Sequence, residues 1–286
     1  MHLLKPVFRR RIKSLSACLA LAAILAAPGL LNADITVIQL ANEGVILSDG
    51  ETRIMIDGMV VEPYSVYGGL DEAAAAKFSQ ATGAFAGIDL ALSSHRHHDH
   101  NQPLFACQFL QASPKTQFIS SPQVVGLMRE KCRKPVTTSP RIREITPEYG
   151  QPVTLNQGEV TITVFPLSHG TRKFARIQNY GHLFELGGMK VLHIGDAAMD
   201  PTDFRKAGLD RVRLDVALIP YWYFQPGPGA EVIDQFMNAP QKIAVHIPPG
   251  EMEEVRLHMR EKYPRVKIMQ GPLEEARFSS ILPPEQ

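Results

Sequence analysis

The residues with the clearest chemical potential lie in a nine-residue stretch, 93–101, which reads Ser-Ser-His-Arg-His-His-Asp-His-Asn. Within it, His95, His97, Asp99 and His100 form the pattern H-x-H-x-D-H. Neutral imidazole is a good ligand for zinc, copper, iron and nickel, and a carboxylate in the same cluster is typical of a hydrolytic zinc or manganese site. The stretch therefore predicts a metal site, in preference to a solvated histidine-rich loop.

The position of this stretch supports the interpretation. Residues 89–93 are a short apolar run with strand character, and the histidines follow at the point where that strand ends. A strand end directs successive side chains to opposite sides, and a following turn can bring alternate ones back together. We therefore expect His95 and His97 to share one ion while Asp99 and His100 reach a neighbouring one.

An H-x-H-x-D-H pattern after a short strand resembles the metallo-β-lactamase fold superfamily, whose members are mostly binuclear metal hydrolases. That superfamily has three later ligands, a histidine, an aspartate and a final histidine, each at a strand end. This chain offers His169 in F-P-L-S-H-G, Asp196 in H-I-G-D-A and His246 in I-A-V-H-I-P, in the same order. The resemblance extends over about residues 35–270.

The resemblance implies two divalent ions, most simply zinc, with manganese or iron as alternatives. The first ion would be held by His95, His97 and His169. The second would be held by Asp99, His100 and His246, and Asp196 would bridge the two. Ions about 3.5–4 Å apart convert the water between them to a nucleophilic hydroxide. Asp99 is also the candidate catalytic residue, because it can carry the proton to the leaving group.

Five further residues are candidates for supporting the ligands or lining a substrate pocket: Asp57, His182, Tyr221, Trp222 and Tyr223. The resemblance implies that Asp57 braces the metal loop from beneath, although an ordinary turn aspartate is the alternative. His182 is a candidate for facing the substrate. The aromatic run at 221–224 predicts either a pocket wall or lid, or a core plug that anchors its loop. The loop at 64–69 could form another part of the wall.

The first 33 residues differ from the rest of the chain. A segment with five basic and no acidic residues precedes an Ala/Leu-rich apolar run at 15–27, which is typical of a signal peptide. We expect a periplasmic or secreted protein with no stable membrane span after cleavage, an uncleaved N-terminal anchor being the alternative. Both Sec and twin-arginine export fit the segment. Its removal changes the formal net charge from +1 to −4, which argues against a nucleic-acid partner and favours a small-molecule substrate.

Residues 34–286 are predicted to form a single α+β domain, a four-layer α-β-β-α sandwich. Strands are predicted at 35–40, 44–47, 52–56, 89–93, 117–120, 143–145, 153–155, 160–165, 180–186, 190–194, 216–220, 242–245 and 266–269. Helices are predicted at 71–79, 102–111, 122–132, 203–207, 231–237 and 251–261. Cys107 and Cys132 could form a disulfide or remain as two buried thiols, and the oligomeric state is not predicted.

The bridging ligand narrows the expected activity. The antibiotic-degrading members of the superfamily have a cysteine where this chain has Asp196, so dedicated β-lactamase activity is disfavoured. The chain is closer in style to the lactonase and phosphodiesterase branches, which implies hydrolysis of a small ester, lactone, amide or phosphodiester. The alternatives are a β-lactamase-like activity, a nuclease, and a non-catalytic metal-binding protein that kept the fold.

Overall fold

Two seven-stranded mixed sheets form the centre of the computed structural model, which describes residues 33–132 and 136–281. Residues 1–32 of the expected signal peptide lie outside the described part. In chain order the strands are β1 Ile35–Gln39, β2 Val45–Ser48, β3 Arg53–Ile56, β4 Leu90–Ser93, β5 Gln117–Ser120, β6 Ile142–Glu144, β7 Val153–Gln157, β8 Val160–Ser168, β9 Gln178–Leu186, β10 Met189–His193, β11 Val216–Pro220, β12 Gln241–Val245, β13 Val266–Ile268 and β14 Glu275–Phe278.

Six α-helices connect or cover these strands. They are α1 Glu72–Ser79, α2 Pro103–Ala112, α3 Pro122–Lys131, α4 Pro201–Lys206, α5 Gly229–Phe236 and α6 Met252–Lys262. The start of α3 follows the sequence signal, since Ser121 Oγ accepts a hydrogen bond from the Val124 N–H (3.4 Å) and Pro122 takes the first helical position. Within the described ranges, none of the helices has the length and apolar character needed to cross a bilayer.

Both sheets use the same pairing scheme. In the first, with order β14-β1-β2-β3-β4-β5-β6, the pairs up to β3 are antiparallel and those from β3 to β6 are parallel. In the second, with order β7-β8-β9-β10-β11-β12-β13, the change from antiparallel to parallel occurs at β10. Each parallel half places several strand ends at one edge of its sheet, where loops can bring polar side chains together.

Three apolar layers confirm the predicted α-β-β-α sandwich. The middle layer joins side chains of both sheets, for example Leu92 of β4 with Leu218 of β11. One outer layer packs α1, α2 and α3 against the first sheet, and the other packs α4, α5 and α6 against the second. Burial on both faces explains why the central strands read as nearly continuous apolar runs.

The largest differences between the predicted and the observed elements are at two strands. Strand β14 was not predicted, because E-A-R-F is short and half polar, yet it pairs with β1 and buries Phe278. Strand β8 continues past the predicted end at 165, through Pro166 to Ser168. Proline fits there because β7 pairs only with Val160 to Val164, so the later part of β8 has β9 as its single neighbour.

Cys107 on α2 and Cys132 at the end of α3 are joined in a disulfide, with their Cα atoms 5.8 Å apart. The structure thus decides between the two alternatives that the sequence left open. The bond ties together two neighbouring helices of the first outer layer.

Candidate metal centre

The predicted ligands lie where four strands end. The H-x-H-x-D-H loop follows β4, His169 follows β8 directly, and His246 follows β12 directly. Asp196 comes three residues after the end of β10, beyond Gly195. Strands β4 and β12 belong to different sheets, so the residues that the sequence predicts as ligands converge from both halves of the sandwich.

The first group contains three imidazoles. His169 Nε2 lies 3.2 Å from His95 Nε2 and 3.1 Å from His97 Nδ1, and the last two atoms are 3.0 Å apart. Nitrogen atoms that share one tetrahedral zinc ion at about 2.05 Å would lie roughly 3.3 Å from one another. The three nitrogens therefore already have nearly the spacing of ligands around one ion.

The second group contains two imidazoles and a carboxylate. His100 Nε2 and His246 Nε2 are 3.2 Å apart. Asp99 Oδ2 lies 3.4 Å from His246 Nε2 and 3.8 Å from His100 Nε2. This spacing suits a second ion.

Asp196 lies between the two groups and turns one oxygen toward each. Its Oδ2 is 3.4 Å from His169 Nε2 and 3.7 Å from His95 Nε2. Its Oδ1 is 3.4 Å from His100 Nε2 and 3.3 Å from His246 Nε2. A carboxylate in this position can bridge two ions.

The donor set fits divalent cations. Asp196 Oδ1 is buried with no hydrogen-bond partner among the described residues, which is costly unless a cation fills the space. Burial and the positive field of His100 hold the pKa of His95 well below its usual value, and burial and His169 also lower the pKa of His97. These imidazoles are therefore neutral, as metal ligands must be.

The aspartates of the centre are ionised. Burial alone would raise the pKa of Asp196, but His100 and His246 together hold it well below its usual value. The same histidines overcome the effect of burial on Asp99 and lower its pKa. His100 differs from His95 and His97, because Asp196 and Asp57 overcome burial and raise its pKa well above the usual value.

Asp57 lies beneath the metal loop, at the end of β3. Its Oδ1 accepts from the Ser94 N–H (2.6 Å), and its Oδ2 accepts from the Ser94 hydroxyl (2.5 Å) and from His100 Nδ1 (2.8 Å). The bond to Nδ1 directs Nε2 of His100 toward the second group, as carboxylates next to ligating histidines commonly do. Burial would raise the pKa of Asp57, but His100, His193 and Ser94 outweigh it and lower the pKa.

A turn between β1 and β2 also reaches the centre, and sequence reasoning missed it. Asn42 Nδ2 donates to the main-chain oxygen and to Oδ2 of Asp99, both at 3.3 Å. Glu43 is 1% exposed, and its Oε1 lies 3.1 Å from His193 Nε2. The available signal was the N-E-G sequence, which reads as an ordinary hairpin turn.

Aromatic side chains surround the histidines. Tyr67 and Trp222 meet His246 edge-on, with ring centroids 4.6 and 4.9 Å away. Phe174 contacts His97 and His169, at 5.3 and 4.9 Å. All three aromatic residues are half-buried. Tyr67 lies in the loop that was expected to form part of a wall, whereas Phe174 was not predicted.

The aromatic residues at 221–224 fall into both of the predicted roles, some lying at the wall of the site and others buried in the core. Trp222 faces the centre, and the Tyr221 hydroxyl donates to Glu251 Oε2 (2.7 Å) on the same side. Tyr223 is fully buried, and its hydroxyl bonds the carbonyls of Ala197 and Ala198, which holds the loop that carries Asp196.

His182 is not placed with the ligands. It is fully buried on β9, paired with His193 of β10 and Val164 of β8. Burial and neighbouring His193 lower its pKa to about 3, and the imidazole is therefore neutral. On β9, His182 shares a face with Tyr180 and Phe184, which belong to the apolar layer between the sheets.

Comparison with known proteins agrees with this geometry. A family model described as the β-lactamase superfamily domain matches residues 52–268, which include every predicted metal ligand. The chain belongs to the β-lactamase superfamily. The resemblance read from H-x-H-x-D-H is thus confirmed. No match is found among curated protein sequences.

Several solved structures share the fold. A possible metal-dependent hydrolase from Veillonella parvula is 17% identical with a TM-score of 0.61, and the match covers 85% of this chain and 98% of that one. The metallo-β-lactamase fold protein YhfI from Bacillus subtilis is 14% identical with a TM-score of 0.58, covering 86% and 99%. CmlA, a diiron β-hydroxylase from Streptomyces venezuelae, is 16% identical with a TM-score of 0.54, covering 87% of this chain and 54% of CmlA.

Proposed function

We propose that this protein is a metal-dependent hydrolase with two divalent ions, acting on a small ester, lactone, amide or phosphodiester. The observation that carries the proposal is the position of Asp196, whose two oxygens each lie 3.3–3.7 Å from the imidazoles of a different group. A non-catalytic protein has no need for an open two-ion arrangement of this kind. When bound, two such ions activate water and polarise a carbonyl or phosphoryl oxygen.

Asp99 is the proposed proton carrier. It is 4% exposed and ionised, and Asn42 donates to its Oδ2. A carboxylate held in this way beside the reacting atoms can take a proton from the nucleophile and give it to the leaving group. Asn42 would fix the direction of the carboxylate during that transfer.

The aromatic residues support a substrate of small size with an apolar part. Tyr67 and Trp222 lie on the side of His246, and Phe174 lies on the side of His97 and His169. Aromatic walls with a few convergent polar groups are typical of small-molecule sites. The acidic net charge expected after signal cleavage is a further argument against a nucleic-acid substrate.

Zinc is the first candidate metal, and manganese and iron follow. The first group is rich in imidazole, which suits zinc and iron, whereas the second is richer in carboxylate, which suits manganese. The fold is shared with a diiron enzyme, so iron belongs among the metals to be tested.

We further propose that the protein acts in the periplasm or outside the cell. The basic and apolar N-terminal segment supports this location. The disulfide between Cys107 and Cys132 supports it as well, because such bonds persist in oxidising compartments.

The test combines metal content with a substrate panel. Metal in the purified protein is counted by mass spectrometry, and hydrolysis is measured for a lactone, a nitrocefin-type lactam and bis-(p-nitrophenyl) phosphate. His98→Ala is the matched control for His97→Ala, because His98 is the adjacent histidine but is exposed and bonded to Gln102.

We expect about two metal ions per chain and turnover of one substrate class. That turnover should fall by at least about a hundredfold in His97→Ala, since even supporting residues around metal ligands contribute tenfold to a hundredfold, and should be retained in His98→Ala. Turnover of the lactam alone would make the protein a β-lactamase. Absence of bound metal and of turnover, even after zinc, manganese or iron is added, would reject the proposal.

A further inference from the structure

Glu43 is a buried carboxylate for which neither the fold nor the predicted ligand set gives a purpose. It is 1% exposed, and neither of its oxygens has a hydrogen bond within the described residues. Leaving an ionised carboxylate buried without a partner costs several kcal/mol at least. Such a group either stays protonated or has its charge compensated by a cation.

The surroundings of Glu43 contain the donors of one cation site. One ligand atom from each of Glu43, His100, Asp196 and His246 can be chosen so that all four lie within 4.8 Å of one another. Ligand atoms on opposite sides of one ion, each at 2.0–2.2 Å, are roughly 4.0–4.4 Å apart. Small side-chain shifts would therefore bring all four onto one ion.

His193 lies close enough to support Glu43 as a ligand. Its Nδ1 accepts from the Gly195 N–H (3.3 Å), so its proton is on Nε2, which lies 3.1 Å from Glu43 Oε1 without forming a hydrogen bond to it. A small rotation of either side chain would form that bond, and ligating carboxylates are usually hydrogen-bonded to such a neighbour. The other oxygen, Oε2, would then be left for a cation.

We propose that Glu43 is a fifth protein ligand of the second metal position, and that it biases this position toward Mn²⁺ relative to Zn²⁺. With Glu43 the position has three carboxylates and two imidazoles, whereas the first has three imidazoles and the shared Asp196. Carboxylate suits manganese, and imidazole suits zinc. The inference rests on the two-ion centre proposed above but does not depend on which bond is cleaved.

The test measures binding of Mn²⁺ and Zn²⁺ to the metal-depleted protein by calorimetry, for the wild type and Glu43→Gln. Glutamine keeps the shape and an oxygen atom near His193 Nε2, but it lacks the charge. We expect the second Mn²⁺ dissociation constant to rise at least tenfold in Glu43→Gln, the second Zn²⁺ constant to rise less, and the first site to keep its affinity. Glu51→Gln, which changes an exposed glutamate in the next turn, should leave all constants unchanged.

The proposal would be overturned if the Mn²⁺ dissociation constants of Glu43→Gln equal those of the wild type and the Zn²⁺ constants do too. Glu43 would then be only a buried acid beside His193. Because Glu43→Gln could fail to fold, a crystal structure of the manganese-loaded wild type gives an independent answer. A distance near 2.2 Å between a Glu43 oxygen and the second ion supports the proposal, and a distance beyond 3 Å rejects it. If both ions bind but no substrate is hydrolysed, the hydrolase proposal fails while this one stands.

Discussion

At the scale of single residues, two kinds of buried histidine can be distinguished by what surrounds them. The predicted ligand histidines face one another and the carboxylates, with nitrogen atoms only 3.0–3.2 Å apart. His182 is buried as completely as His95 and His100, but neither of its ring nitrogens has a partner among the described residues. We therefore expect its main effect to be on stability.

His182 should make the fold sensitive to acid. Its pKa is about 3 in the folded protein and near 6.5 when unfolded, so the unfolded chain binds the proton more readily. The contribution of the neutral imidazole to stability is complete above pH 6.5 and is lost as the pH falls toward 3. At pH 4.5 the loss is roughly 2–3 kcal/mol.

The variant His182→Leu tests this effect. The free energy of unfolding of the variant and of the wild type is measured in urea at pH 7.5 and at pH 4.5. The value of the variant minus that of the wild type should be about 2 kcal/mol more favourable at pH 4.5 than at pH 7.5. His258→Leu provides a control, because His258 is half-buried and bonded to the Phe224 carbonyl. An unchanged difference between wild type and His182→Leu at the two pH values would contradict the prediction.

At the scale of elements, the corner between β10 and Asp196 shows how closely the backbone is packed around the centre. Gly195 has φ +53, and a Cβ there would lie 2.5 Å from Asn179 Oδ1 and 2.7 Å from Ser94 Cβ. Asn179 Oδ1 also accepts from the Asp196 N–H (3.1 Å). A methyl group at 195 would therefore displace the residue that holds the bridging aspartate.

Gly195→Ala should lower the free energy of unfolding and weaken metal binding. Gly208→Ala is the matched control, because Gly208 also has positive φ (+77) but open space around it. Backbone strain alone should lower the free energy of unfolding of Gly208→Ala by about 1 kcal/mol. In Gly195→Ala the steric clash should lower it by about a further 1–3 kcal/mol. Metal titration should show at least tenfold weaker binding for Gly195→Ala only. Equal effects in the two variants would show that the close packing has no role.

The disulfide between α2 and the end of α3 should stabilise the outer helical layer. A disulfide that closes a loop of 25 residues lowers the conformational entropy of the unfolded chain. This raises the free energy of unfolding by about 3.5 kcal/mol. Urea unfolding of the double variant Cys107→Ala/Cys132→Ala should show a free energy of unfolding that is lower than that of the oxidised wild type by about this amount. Reduced wild-type protein should unfold at a similar urea concentration to the variant, and a midpoint equal to that of the oxidised protein would contradict the prediction.

The sequence was most informative about elements that end in a ligand. Apolar runs followed by His169, Asp196 or His246 indicated strand-to-loop corners, and these corners are present. The turn with Asn42 and Glu43 could not be interpreted in this way, because its burial depends on packing against elements far along the chain. The directions of Trp222 and Tyr223 were equally hidden, since they depend on a short 3₁₀ helix, Tyr221–Phe224.

At the scale of the whole molecule, the centre joins the two sheets. The H-x-H-x-D-H loop follows β4 of the first sheet, whereas His169, Asp196 and His246 follow strands of the second. Ions held by both sets would connect the two halves of the sandwich at one edge. Metal binding and folding should therefore be coupled.

Removal of the metals should lower the melting temperature considerably. A ligand that binds only the folded state stabilises it by RT ln(1 + [L]/Kd), about 4 kcal/mol at a free concentration of a thousand times Kd. For a chain of this size each kcal/mol shifts Tm by about 2–4 °C, so chelation should lower Tm by roughly 8–16 °C. Thermal melts with chelator and with added zinc or manganese measure this.

The shift should persist in His98→Ala and largely vanish in Asp196→Asn, because the predicted bridging carboxylate contacts both groups. A melting temperature that does not depend on metal would mean that the two sheets are held together by their apolar layer alone.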